Sequence, residues 1–147
     1  MLERQSGDSL SYLSNISNRR NRMAVIYTLT KSPLVKSGGQ LYWDIDSPSE
    51  QQPLKIVNGR IVLRGWLVAE GEADSHVAVK IDHMTYSFPF NTKRPDVISA
   101  ILKQPPEKHQ KLRCGFDISI PFSTKIIIGL ESDGVITWLE GLFFSPA

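Results

Sequence analysis

Cysteine is nearly missing from this sequence: Cys114 stands alone among 147 residues. An intramolecular disulfide and a thiolate metal site are therefore both excluded. No run of about 18 apolar residues occurs, which excludes a membrane-spanning helix. The N-terminus lacks the hydrophobic core of a signal peptide, so a cytoplasmic protein is expected. Net charge is also scarce. The formal surplus of +2 lies largely in Arg19, Arg20 and Arg22, too little for nucleic acid to be an expected partner.

The groups that carry chemistry are equally thin. Only three histidines occur, His76, His83 and His109. His76 and His83 could meet across a hairpin, but no third ligand follows at suitable spacing, so no metal is expected. There is no Gly-x-Ser-x-Gly elbow, and no glycine-rich phosphate turn between a strand and a helix. Neither an enzyme nor a cofactor is expected. Cys114 alternates with Phe116, Ile118 and Ile120, the setting of a buried and inert thiol.

What is present is a chain with 41% apolar residues, enough for one hydrophobic core in one domain. Residues 1–22 are rich in Ser, Asn, Arg and Gln and are expected to be a mobile tail. Residues 23–147 are expected to form a single domain in which strands dominate. Residues 24–30 are β-branched and aromatic, and Pro33 with Gly38-Gly39 breaks that run. Leu41, Trp43 and Ile45 alternate with Tyr42, Asp44 and Asp46, the period of a half-buried strand.

Residues 55–57 and 60–68 flank Asn58-Gly59, a dipeptide suited to a two-residue hairpin. Val77, Val79 and Ile81 alternate with polar residues. So do Met84, Tyr86, Phe88 and Phe90, with Pro89 marking an edge or a bulge. Pro95, Val97, Ile98, Ile101 and Leu102 are spaced for a short helix ended by Pro105-Pro106. Strands resume over 113–120, 125–131 and 135–144, with Asp133-Gly134 as the last turn. The fold expected is all-β: an antiparallel two-sheet sandwich (immunoglobulin-like) of about eight strands with one short helix.

Two sets of residues are candidates for ligand contact. Trp66 and Trp138 lie on strands that are apolar on both faces, so their rings are free to stack on a pyranose, whereas Tyr86 and Phe116 read as core. Arg94 and Asp96 flank Pro95 at the start of the short helix. Such a pair fixes a corner by bonding each other or nearby backbone, or offers a guanidinium fork and a carboxylate to sugar hydroxyls. Asp44-Ile45-Asp46 has the form of a metal-binding Asp-x-Asp element, but its surroundings read as the wet face of a strand.

In order along the chain, Asp46-Ser47-Pro48, Gly65-Trp66, Arg94-Pro95-Asp96-Val97 and Gly115-Phe116 resemble a β-sandwich accessory domain fused to bacterial surface-polysaccharide glycosyltransferases. The similarity covers about residues 40–142. It implies a non-catalytic module, the expected partners being a glycan or a glycosyltransferase protein, although these 147 residues include no transferase domain. The alternative class is a structural or interaction protein, such as an assembly or phage-derived component, docking on a protein partner.

Overall fold

The computed structural model describes residues 25–38, 40–71 and 74–147. The expected tail, 1–22, lies outside them. Among the described residues there are nine strands: β1 (Ile26–Pro33), β2 (Leu41–Ser47), β3 (Leu54–Lys55), β4 (Arg60–Ala69), β5 (Ser75–Ile81), β6 (Met84–Phe88), β7 (Gly115–Pro121), β8 (Lys125–Ser132) and β9 (Val135–Pro146). They form two antiparallel sheets, of order β3-β1-β9-β8-β5-β6 and β2-β4-β7. The all-β sandwich expected from the alternation is the fold observed, with one strand more than expected.

The alternation sets which side chains are buried. In β2, Trp43 and Ile45 are buried while Asp44 and Asp46 are exposed. In β4, Ile61, Leu63 and Leu67 point into the space between the sheets, where they meet Val77, Val79, Ile126, Ile128, Leu139 and Leu142 of the larger sheet. Each of these is at most a few per cent exposed, so the main core is the layer between the sheets.

The Asn58-Gly59 turn forms as its sequence requires, with φ of 63° and 66°, and Val57 bridges Arg60 across it. It does not open into a hairpin. β3 pairs with β1 in the six-stranded sheet, whereas β4 joins β2 and β7. The turn thus passes the chain from one sheet to the other.

The short helix appears as α1 (Pro95–Val97), which runs on into a π-helical turn over Ile98–Leu102. Pro95 occupies the first turn, where its missing N–H costs nothing. Val97 and Ile98 pack on Val68 and Cys114, with Trp66, Ile101, Leu102 and Leu112 around them. This second cluster lies outside the sandwich, on the outer face of the three-stranded sheet. It explains why β4 is apolar on both faces toward its C-terminal end.

Candidate functional site: the outer face of the three-stranded sheet

Residues paired across neighbouring strands share a face of a sheet. In the three-stranded sheet Asp44 pairs with Trp66 and Trp66 with Gly115. One step along, Ser47 pairs with Arg64 and Arg64 with Asp117. These rows form the outer face, since Ile45 and Phe116 between them are buried in the core. The helical insert covers the Val68 end of the face. Trp66 is half-buried against it, and beyond Trp66 the face carries charge.

Arg94 is brought onto this face by the segment that precedes α1. The amides of Asn91 and Thr92 both donate to the carbonyl of Gly115 at 3.1 Å, and the Gly115 amide donates back to Thr92 at 2.9 Å. Asn91 also donates to the Asp117 carbonyl and accepts from the Asp117 amide, each at 3.0 Å. The Arg94 amide donates to Leu112 at 2.9 Å. Gly115 is needed beneath this strap. A Cβ there would lie 2.8 Å from Cγ of Arg94 and 3.0 Å from Cβ of Thr92, so the stem of Arg94 runs over the position opposite Trp66.

The guanidinium is held by two carboxylates. Nε and Nη2 of Arg94 donate to the two oxygens of Asp96 at 3.0 and 2.9 Å, a bidentate fork. Nη1 donates to Asp46 at 2.9 Å. Asp46 is the unpaired residue of a β-bulge between Ile45 and Ser47, the device that turns its side chain toward the corner. The hydrogen bonds from Arg94 hold the Asp96 carboxyl below the usual aspartate range against the opposing effect of burial. Asp96 in turn raises the already high pKa of Arg94, with Asp46 adding to it.

Nearby, Arg64 donates to Asp117 at 3.0 Å, with both side chains about half exposed. The Asp44 carboxylate has no partner among the described residues. The face therefore presents one half-buried indole with carboxylates on the same side of the sheet. Such carboxylates accept hydrogen bonds and donate none.

The four candidate residues separate in space. Trp66, Arg94 and Asp96 share this face, while Trp138 lies in β9 on the six-stranded sheet. There its ring covers Gly129, whose added Cβ would fall 2.8 Å from the indole. Of the other aromatics considered, Trp43 and Phe116 are core. Tyr86 is half-buried and stacks on Phe88 with ring centroids 6.5 Å apart.

Asp44 and Asp46 are not a free pair, because Arg94 occupies Asp46. Among the described residues no group of three or more His, Cys, Asp or Glu side chains is placed to hold a metal. His76 is inside β5 near its start and His83 lies just past its end. About 20 Å of extended chain thus separates them.

Sequence reasoning gave no site role to Arg64, Asp117, Asn91 or Gly115. Alternation places Arg64 and Asp117 on wet faces, but only the β4–β7 register makes them neighbours. No helix among the described residues is long and apolar enough to cross a membrane. Comparison with protein-family models, with curated proteins and with solved structures returns no match.

Proposed function

We propose that this chain is a non-catalytic β-sandwich module that binds carbohydrate on the outer face of its three-stranded sheet. In this reading it serves as an accessory to a glycosyltransferase of surface-polysaccharide synthesis. One juxtaposition supports it: Trp66 flanked by Asp44, with the Arg94–Asp46–Asp96 cluster and the Arg64–Asp117 pair beside it. An indole face packs against the C–H face of a pyranose, and ionised carboxylates accept from its hydroxyls. Because three of the Arg94 N–H groups are taken by protein carboxylates, its role here is to hold Asp46 and Asp96 in place beside the indole.

A glycan array on the purified protein tests this reading, followed by titration of any glycan retained. Trp66→Ala and Asp44→Asn should each weaken binding about tenfold or more, the equivalent of about 1.4 kcal/mol. Binding that survives both substitutions would move the site elsewhere. The same protein should neither hydrolyse nor transfer activated sugars. Metal-dependent turnover that disappears in an Asp44→Asn, Asp46→Asn double variant would make it an enzyme instead.

A second reading, an interaction protein docking on a protein partner, draws on β6. That strand ends the six-stranded sheet and leaves Met84 59% exposed, and an open strand edge is a template for another chain. Capture of a protein partner that is abolished by Met84→Lys and indifferent to Trp66→Ala would favour it.

A further inference from the structure

The two sheets differ in width, six strands against three, so the β5–β6 side of the larger sheet needs other cover. Part of that cover comes from the segment leading into β7. Between this segment and β5–β6 a cleft of about 360 Å³ remains open at one end of the sandwich. Its volume lies within the range usual for small-molecule sites, roughly 300–1,000 Å³. Leu67, Phe90 and Leu130 give it apolar walls. The first and last of these belong to the main core, and Phe90 packs against it half-buried.

The mouth is polar and unevenly charged. Lys111 and Arg113 line one side, and Asp74 and His76 line the other. None of the side chains of Lys111, Arg113 and Asp74 has an ion-pair or hydrogen-bond partner among the described residues. Lys111 is half-buried and also borders a second cavity of about 290 Å³, which shares Ala69 and Gln110 with the first. An unpaired ammonium at the rim of a cleft that is half apolar and half polar favours an anion beside it. Among the described lining residues, two cations stand against one carboxylate.

We propose that this cleft binds a small amphipathic anion, its apolar body between the sheets and its acidic head at Lys111 and Arg113. The site is separate from the Trp66 face and does not depend on the carbohydrate reading.

The probe is 1-anilinonaphthalene-8-sulfonate, an aryl body with one acidic head. It is titrated into the full chain by fluorescence, with near-UV circular dichroism to confirm native packing, because the dye also binds partly unfolded states. The neutral relative N-phenyl-1-naphthylamine is run in parallel. Saturable binding of one sulfonate per chain is expected, tighter than that of the neutral dye. A Lys111→Gln, Arg113→Gln variant, altered only at the rim, should raise the sulfonate dissociation constant about tenfold and leave the neutral dye unchanged. Ala69→Phe, which projects a ring into the shared wall, should reduce binding of both dyes. No saturable binding to the native protein would overturn the proposal. So would equal affinity for the two dyes, or a sulfonate affinity indifferent to loss of the two cations.

Discussion

Arg94 bonds one carboxylate two residues away and another 48 residues away, so it ties α1 to the rim of β2. Its side chain is 24% exposed, whereas those of Asp46 and Asp96 are 40% and 65% exposed. Water therefore screens the carboxylates if the guanidinium is lost. Arg94→Ala should cost about 1 kcal/mol in urea melts, the low end of the range for a stranded polar group. Asp96→Ala should cost less, and the double variant less than the sum because both remove one interaction. Near-neutral, strictly additive effects would show that the cluster does not hold the corner.

The pH dependence has a fixed sign. Asp96 titrates lower in the folded chain than in the unfolded one. Its contribution is thus complete above the unfolded value, about 3.9, and is lost as pH falls through the folded value. The stability gap between wild type and Asp96→Asn should hold at neutral pH and close in acid. A gap that widened on acidification would contradict the pair.

Cys114 gives a simpler test at the same scale. It is 3% exposed, and burial pushes its thiol up to about 11. A thiol reagent at pH 7 should react slowly with the native protein and rapidly in urea. Fast native labelling would mean that the Val68–Ile98 cluster opens readily.

At the scale of elements, β4 and β2 approach so closely at Gly65 that a side chain has no room. A Cβ there would collide with the Asp44 carbonyl and lie 2.9 Å from the Phe116 ring. The backbone carbonyl cannot swing aside as a flexible side chain would. Gly65→Ala should therefore cost about 1–3 kcal/mol and disturb the neighbouring bulge that presents Asp46. Unchanged stability, with amide exchange in β2 also unchanged, would show that the strands separate freely.

What could be read from the chain follows the range of the interactions. Alternation in 41–46 gave the buried and wet faces of β2, and Asn58-Gly59 gave its turn, because both are local. That β3 would leave β4 for β1 had no local signal, since Leu54 and Lys55 are chosen by the edge of a strand far away in sequence. The candidate site divides in the same way. Arg94 and Asp96 are two residues apart and their bond could be anticipated, whereas Asp46 reaches Arg94 only through a bulge and a sheet register. Trp66 and Trp138 looked equivalent along the chain, yet the pairing puts them on different sheets.

For the whole molecule, the question is what fixes one sheet against the other beyond apolar contact, which is non-directional. Among the described residues, two polar side-chain links cross the layer. The Lys31 ammonium of β1 donates to the Ile45 carbonyl of β2 at 2.6 Å, and the Trp43 indole of β2 donates to Glu140 of β9 at 2.9 Å. The second is buried, with Trp43 and Glu140 both 8% exposed, so either partner left alone bears its full desolvation penalty. Trp43→Phe removes the donor to a buried carboxylate, and Glu140→Leu removes the acceptor from a buried indole. Each should cost about 1–3 kcal/mol in urea melts, and for Trp43→Phe the lost packing adds to that cost. Glu140→Gln keeps a carbonyl oxygen for the indole and should stay within about 1 kcal/mol of wild type. Replacing both partners together leaves no unpaired polar group. The Trp43→Phe, Glu140→Leu double variant should therefore be more stable than the sum of the single losses implies. Losses that simply add would mean that the indole and the carboxylate stabilise the sandwich independently. Register between the sheets would then rest on the shape of the apolar core alone.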